Sequence, residues 1–567
     1  MRWWGALSAF VLSVFIAGNM LLQGYVLTLD MVWTPEVPLS WRADEPNNAF
    51  VVRSFLWLLS QIIPSWMVQK ILLLGMLVAL FYVPWRFLPF IQDSSARLFA
   101  AGIYALNPFV YSRILAGQWM LLVGYALLPC VLYALMRYFD ERSIRSALWL
   151  AGSLFLVSLF SVHFFYLAIL MSTVWAAAHA LNAWNADRAL LRSYVAHGAL
   201  AVVTVLTLCS WWLIPALTRE SPLESRFDPS YFSAFSASGN GVMGVLLNVA
   251  ALGGFWGEDH AWRYYFVWPQ DSIIFWGAFF VVAILSVVGI THLFMRGKRF
   301  EALLICITGV FSYVIALGLS DTPAYAFNAF LYEHLPLMEG LRDSHKAAGV
   351  LALMYAIASG MGAQVLLKCI SKYAPGVGSF ASSAILVIPA AIGLFFWGGM
   401  NGQLPPAQYP PEWFAIREII DRLPDTERVL VLPWHGYFSL PFADNRVVAN
   451  PTRNFFGDRV IAGRGIEIGN VSDQEINPAY RDIDAFVTMM PQQSEVENYT
   501  ALRERGISHI IIISNPAIPR SEEGMIRWTH FTGTHAHTEQ TLLDFMPTLA
   551  NEYISSSTVL KKIPPAL

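Results

Sequence analysis

The stretch WWGALSAFVLSVFIAGNMLLQGYVLTLD, Trp3 to Asp30, holds an apolar run that continues to about Leu27 and stops at Thr28-Leu29-Asp30. A run of that length reaches across a hydrocarbon core of about 30 Å at 1.5 Å per residue. Asp30 then falls within a residue or two of a membrane surface, where a carboxylate is costly to desolvate. It is either a solvated acid at a helix end or a catalytic base at the membrane face. Met1-Arg2-Trp3-Trp4 starts like a signal sequence. The apolar core after it is long for one and lacks a small-residue cleavage site, so a retained first span is expected.

The rest of the chain sets the context for that acid. Of 567 residues, 56% are hydrophobic and 13% charged, and the mean hydropathy is +0.51. Repeated long apolar runs then mean a polytopic, largely α-helical membrane protein. Net charge is 36 − 39 = −3, which gives no case for nucleic acid. The four cysteines, Cys130, Cys209, Cys306 and Cys369, form neither a disulfide framework nor a zinc pattern.

Apolar runs at Trp66–Phe87, Leu98–Tyr111, Trp119–Leu135, Leu148–Leu181, Tyr194–Leu217, Ile273–Phe294, Ala302–Leu319, Ala347–Leu367 and Ser379–Trp397 follow the first. Leu148–Leu181 would extend about 50 Å as one helix, so it must fold back near Ser161-Val162-His163. Phe50–Ile63 is too short to span and reads as a surface helix. Val242–Phe255 reads as re-entrant or surface-lying. About eleven spans result. With Met1 inside, Arg86/Arg97, Arg137/Arg142/Arg145, Arg188/Arg192, Arg296/Lys298/Arg299 and Lys368/Lys372 all fall inside. The expected setting is a plasma membrane with a cytoplasmic N-terminus. Long outer loops occupy 28–65, 218–271 and 320–346.

Composition changes at Leu404, where Pro405-Pro406 and Pro410-Pro411 mark a linker. Residues 1–403 are thus expected to form the transmembrane part, and 404–567 an extracytoplasmic α/β domain. Its signals are an amphipathic helix over Glu412–Leu423 and a buried strand over Arg428–Leu432. A second helix ends at a glycine, Tyr499–Gly506, and a second strand, Ile507–Ser514, follows it.

The unusual polar residues gather at outer span ends. Asp30 and Asp44 are the candidate bases. Arg113 ends an apolar run just before the Gly117-Gln118 break, where a structural cap and a ligand are equally good readings. His163 is either a turn residue or a substrate contact. Glu258-Asp259-His260 offers hard oxygen ligands that would suit Mg²⁺ or Mn²⁺, although a solvated loop explains it too. Arg342-Asp343-Ser344-His345-Lys346 is the densest cluster. Its guanidinium and ammonium suit a lipid phosphate at the interface, and an interfacial anchor with an Arg–Asp pair is the plainer alternative.

Together these features resemble the GT-C class of membrane glycosyltransferases. The residues that carry the resemblance are Asp30 after the first span, the surface helix Phe50–Ile63, the span count, the outer C-terminal region, and the stretches Asn107–Gln118 and Gly340–Lys346. The class often places two acids one apart in the first loop, whereas here Met31 and Val32 follow Asp30. The resemblance implies a glycosyltransferase with a polyprenyl-phosphate sugar as donor and a glycan, lipid or protein hydroxyl as acceptor, acting with inversion and needing no certain cofactor. Asp30, or its rival Asp44, would be the base, and Arg342, Lys346 and Arg113 would hold the donor phosphate. Gln118, His163, Asp343, Glu258 and His260 would meet substrate. The alternatives are a carrier or flippase for lipid-linked saccharides, or a non-catalytic envelope glycan assembly protein.

Overall fold

The computed structural model describes residues 2–37, 39, 47–218, 229–259, 266–463, 467–468, 471–472, 478–513, 542–543, 546–555 and 558–564. Asp44 and His260 lie outside the described residues.

Helix α1 (Arg2–Ala17) tightens into a 3-10 turn, Gly18–Leu21, and ends there. The backbone leaves the helical path at Gly18 (φ +45°) and Gly24 (φ +111°), angles that glycine takes without strain. The first span therefore stops short of the Leu27 expected from the apolar run. Tyr25 instead forms an antiparallel bridge with Ala407, and Leu27 is enclosed in the C-terminal core. Lipid and a protein core select the same side chains, so hydropathy alone runs the two environments together.

After α2 (Phe50–Ser60) come α3 (Ser65–Phe87), α4 (Ser94–Ala105) and α5 (Pro108–Leu115). Helix α2 buries Leu56 against Trp33 and Val68 and exposes Val51, Phe55, Trp57 and Leu58, as a helix lying in an interface does. Asn107 separates α4 from α5. Its side-chain oxygen accepts from the Val110 N–H at 3.0 Å, Pro108 fills the first helical position, and the pair bends by 43°.

Next in order are α6 (Trp119–Glu141), α7 (Ile144–Phe160), α8 (Val162–Ala186) and α9 (Arg188–Thr218). The long apolar run breaks at Ser161, whose hydroxyl caps α8 at the Phe164 N–H, 3.1 Å away. Then follow α10 (Pro229–Ser233), α11 (Gly241–Ala250), α12 (Ile273–Met295), α13 (Arg299–Leu317), α14 (Tyr325–His334), α15 (Ala348–Tyr373), α16 (Gly378–Ala384), α17 (Val387–Ile392) and α18 (Trp397–Asn401).

Among the described residues, eight helical segments are long and apolar enough to cross a membrane, and nine if the bent pair α4–α5 is one span. Eleven is reached only by adding two shorter apolar helices, Gly5–Leu21 and α7. Helix α11 has ten residues, about 15 Å, too short to cross. Helix α15 is the hub, packed against α12, α13 and α4. Gly289 of α12 and Gly362 of α15 let two backbones meet. A Cβ on either would lie 1.9 Å from a carbonyl oxygen of the other helix.

The remainder holds α19 (Pro411–Asp421), β1 (Arg428–Leu432), β2 (Tyr437–Leu440), β3 (Arg446–Ala449), α20 (Thr452–Phe456), β4 (Val460–Ile461), β5 (Glu467–Ile468), β6 (Val471–Ser472), α21 (Pro478–Met489), α22 (Glu495–Glu504), β7 (Ile507–Ile513), β8 (Ala550–Ile554) and β9 (Thr558–Lys562). Five strands pair in the order β4-β1-β7-β9-β8. β1 runs parallel to β4 and β7, and β9 antiparallel to β7 and β8. Trp413 and Phe455 cover one face. Phe486 and Leu502 cover the other, which is why β1 and β7 read as unbroken apolar runs.

The antiparallel hairpin β2–β3 leaves this sheet and reaches back to the first loop. Leu29 donates its N–H to the Val447 carbonyl at 2.8 Å and accepts from the Ala449 N–H at 2.7 Å. Arg446 is buried and donates to the carbonyls of Ala443 and, in the linker, Pro405. The membrane helices and the C-terminal sheet thus meet on the stretch Tyr25–Met31.

Candidate active site

Asp30 sits on a tight turn that α5 builds a seat for. Thr28 and Met31 bond each other's backbone, and the Thr28 hydroxyl donates to the Leu115 carbonyl at 2.6 Å. The Asp30 N–H donates to the Ala116 carbonyl at 3.0 Å. Gly117, at φ +70°, leaves the space: a Cβ there would lie 2.4 Å from the Met31 nitrogen and 2.5 Å from the Thr28 oxygen. Leu29 is held at φ +22°, outside the regions open to most L-residues. The turn is clamped between the end of α5 and β3, so the carboxylate direction is set by backbone on both sides.

Both carboxylate oxygens of Asp30 are engaged. Gln118 Nε2 donates to Oδ2 at 2.9 Å, and the Tyr437 hydroxyl donates to Oδ1 at 3.1 Å. The side chain is solvent-accessible but ringed by protein, as in a recess. That enclosure pushes its pKa above the usual aspartate value. The two hydrogen bonds and the charge of Lys346 oppose the rise, and the charge of Asp343 adds to it. A carboxylate so placed is a stronger base than a free aspartate.

Gln118 links this acid to a buried cationic cluster. Its Oε1 accepts from Arg113 Nη1 at 2.9 Å, which fixes the amide orientation. Arg113 is fully buried and grips Asp343 through both terminal nitrogens. Nη2 also lies 3.2 Å from His345 Nδ1, and His345 Nε2 lies 2.8 Å from the Gly253 carbonyl. Arginine only donates and a carbonyl only accepts, so His345 is neutral with its proton on Nε2. Phe255 packs its ring 4.5 Å from the guanidinium. Lys346 stands 3.7 Å from Asp343. Two cations around Asp343 outweigh its burial and hold its carboxyl far below the usual range.

Of the residues singled out in the sequence, Asp30, Gln118, Arg113, Asp343 and Lys346 form one continuous chain of contacts. His163, in the first turn of α8, lies in the field of Lys346, Asp343, Arg113 and Arg342. Arg342 is half-buried, its guanidinium 4.9 Å from the Phe235 ring. The Arg–Asp pair weighed for this segment does exist, but Asp343 takes its partner from α5. Arg113 is turned onto Asp343, with no accessible surface, rather than toward open space.

Glu258 is buried and accepts from the Gly254 and Phe255 N–H groups at 3.1–3.2 Å. Its carboxylate thus shapes the loop that carries Gly253 and Phe255 to the cluster and does not fit a cation ligand. Among the described residues, no group of three or more His, Cys, Asp or Glu is placed to hold a metal. Tyr437 was not singled out in the sequence. The signal that could have found it is the short apolar hairpin after Arg428–Leu432, with a tyrosine opening its first strand.

No protein-family model matches the chain, and no curated protein does. Among solved structures, the arabinofuranosyltransferase AftD from mycobacteria matches over 100% of this chain with a TM-score of 0.64 at 14% identity. A second structure of AftD, carrying one substitution, gives 0.62 at 16% identity. ArnT from Cupriavidus metallidurans, in the apo state, gives 0.47 at 13% over 98% of this chain. The chain spans 40% of the length of AftD. The likeness to AftD is one of fold: many apolar helices followed by a sheet-containing region.

Proposed function

We propose that the protein is an inverting membrane glycosyltransferase that moves a sugar from a polyprenyl-phosphate donor to an acceptor hydroxyl, with Asp30 as general base. The observation that carries this reading is the carboxylate itself. It sits in a solvent-accessible recess, held at both oxygens, and within the field of Lys346. The fold shared with AftD supports the reaction class.

In the proposed step Asp30 takes the proton of the acceptor hydroxyl. The freed oxygen forms a bond to the anomeric carbon from the side opposite the leaving group. The bond from that carbon to the phosphate oxygen breaks, and polyprenyl phosphate leaves with the electron pair. Arg342 and Lys346 stabilise the phosphate charge. The ammonium of Lys346 is only loosely paired with Asp343, at 3.7 Å, so it has donors to offer. Arg113 acts through Asp343, which it fixes in place. The acceptor side is taken to be the outer face of the membrane, as the Lys/Arg asymmetry implies.

The test compares Asp30→Asn with wild type in membranes supplied with radiolabelled polyprenyl-phosphate sugars. Asparagine keeps the shape and removes the base. Turnover should fall by roughly 10²-fold or more, while binding of polyprenyl phosphate stays nearly unchanged. Asp44→Asn should be milder. Transfer at the normal rate by Asp30→Asn would remove Asp30 from the chemistry.

A further inference from the structure

The hairpin β2–β3 supplies a side chain to the recess that the membrane helices alone do not complete. Asp30 has two oxygens, and each is held by a different half of the molecule. Gln118, at the entrance to α6, holds one. Tyr437, the first residue of β2, holds the other at 3.1 Å. The backbone repeats the arrangement, since Leu29 bonds both Val447 and Ala449 of β3, next to Asp30. Tyr437 is set across from Ala449 in the hairpin register, so the residue that clamps Leu29 also opposes the tyrosine that clamps Asp30. The hairpin thus fixes both the backbone beside Asp30 and one oxygen of its carboxylate, opposite the hold that α5 and Gln118 supply.

We propose that Tyr437 is a positioning residue of the active site, holding the Asp30 carboxylate toward the acceptor, and that the C-terminal hairpin is a working wall of the site. This rests on the reading of Asp30 as the base. Among the described residues, the groups acting on Asp30 are Gln118, Tyr437, Lys346 and Asp343. Of these the Tyr437 hydroxyl is the one the C-terminal region contributes. Its hydrogen bond favours the ionised form, so its removal raises the Asp30 pKa further. The acid limb of the turnover profile then moves to higher pH. Activity is lost first on the acid side and returns as pH rises.

Two measurements on the full-length protein test this. The first is the pH profile of kcat for Tyr437→Phe, which removes one oxygen and keeps the ring. The acid limb should move up by about half a pH unit to one unit, as loss of a hydrogen bond that favours the carboxylate over its protonated form by roughly 1 kcal/mol allows. A purely structural tyrosine would lower kcat equally at all pH values. The second is a melting-temperature cycle of Tyr437→Phe, Asp30→Ala and the double variant in detergent, which reads the contact without any substrate. The two changes should be non-additive. Additive melting shifts together with an unmoved acid limb would overturn the proposal. Non-additive melting in a protein with no transfer activity would leave the contact standing and remove the glycosyltransferase reading instead.

Discussion

At the scale of single residues, the cationic cluster separates into two layers. Arg113 is consumed by Asp343, Gln118 and the His345 ring, so its charge is neutralised inside the protein. Removing it would leave the buried Asp343 with only the looser 3.7 Å contact to Lys346, which costs several kcal/mol. Arg342 stands outside that pair, and Lys346 touches it only through the 3.7 Å contact to Asp343. Lys346→Ala should therefore leave the fold intact and weaken binding of polyprenyl phosphate by about tenfold or more, in keeping with loss of one charge-assisted contact of about 1.5–3 kcal/mol. Arg342→Ala should cost more if its planar fork takes two phosphate oxygens. Titration of purified protein with polyprenyl phosphate decides the matter: wild-type affinity in a folded Arg342→Ala, Lys346→Ala double variant would show that phosphate binds elsewhere. The sequence disclosed Asp30 and the Arg342–Lys346 cluster because charge stands out beside long apolar runs. It marked Tyr437 far more faintly, as a neutral residue opening a short apolar strand far along the chain, and gave no sign that Glu258 would spend its carboxylate on its own loop.

At the scale of elements, the decisive unit is α5 with the glycine behind it. Asn107 starts the helix and Pro108 sets its first φ. The helix ends at Leu115, and Gly117 turns the chain so that Gln118 faces Asp30. Gly117→Ala would put a methyl into backbone at 2.4–2.5 Å, from a left-handed conformation that alanine disfavours by about 1–2 kcal/mol. The turn Thr28–Met31 must then move, and Asp30 with it. We expect turnover to drop by tenfold or more while polyprenyl phosphate still binds, because Lys346 and Arg342 belong to a different segment. Equal turnover in Gly117→Ala would mean the seat is not what aims the acid. The apolar run Leu98–Tyr111 and the Gly117-Gln118 break after it were legible, but the bend at Asn107 inside that run was not. Nor was the end of α1, since Val26 and Leu27 prolong the apolar run and are buried by protein rather than lipid.

At the scale of the whole molecule, the two ends of the helix bundle differ in kind. At one end basic residues crowd together. Arg86 acts on Arg97, and Arg296 and Lys368 both act on His292. Contacts of His179 with Phe139 and Phe300 draw the ends of α6, α8 and α13 together there. At the other end lie Asp30, the Arg113–Asp343 pair and the C-terminal hairpin. By the positive-inside tendency we propose that the basic end faces the cytoplasm and the recess the outer face. Single cysteines in a variant lacking Cys130, Cys209, Cys306 and Cys369 can check it, the last of these being exposed itself. Lys298 and Asp425 suit the purpose, their side chains being 56% and 96% accessible. Lys298→Cys should react with a membrane-impermeant maleimide only after the cells are opened, and Asp425→Cys in intact cells. The reverse pattern would turn the recess toward the cytoplasm. Soluble nucleotide sugars would then reach Asp30 directly, and the proposed lipid-linked donor would lose the support of an outward-facing recess.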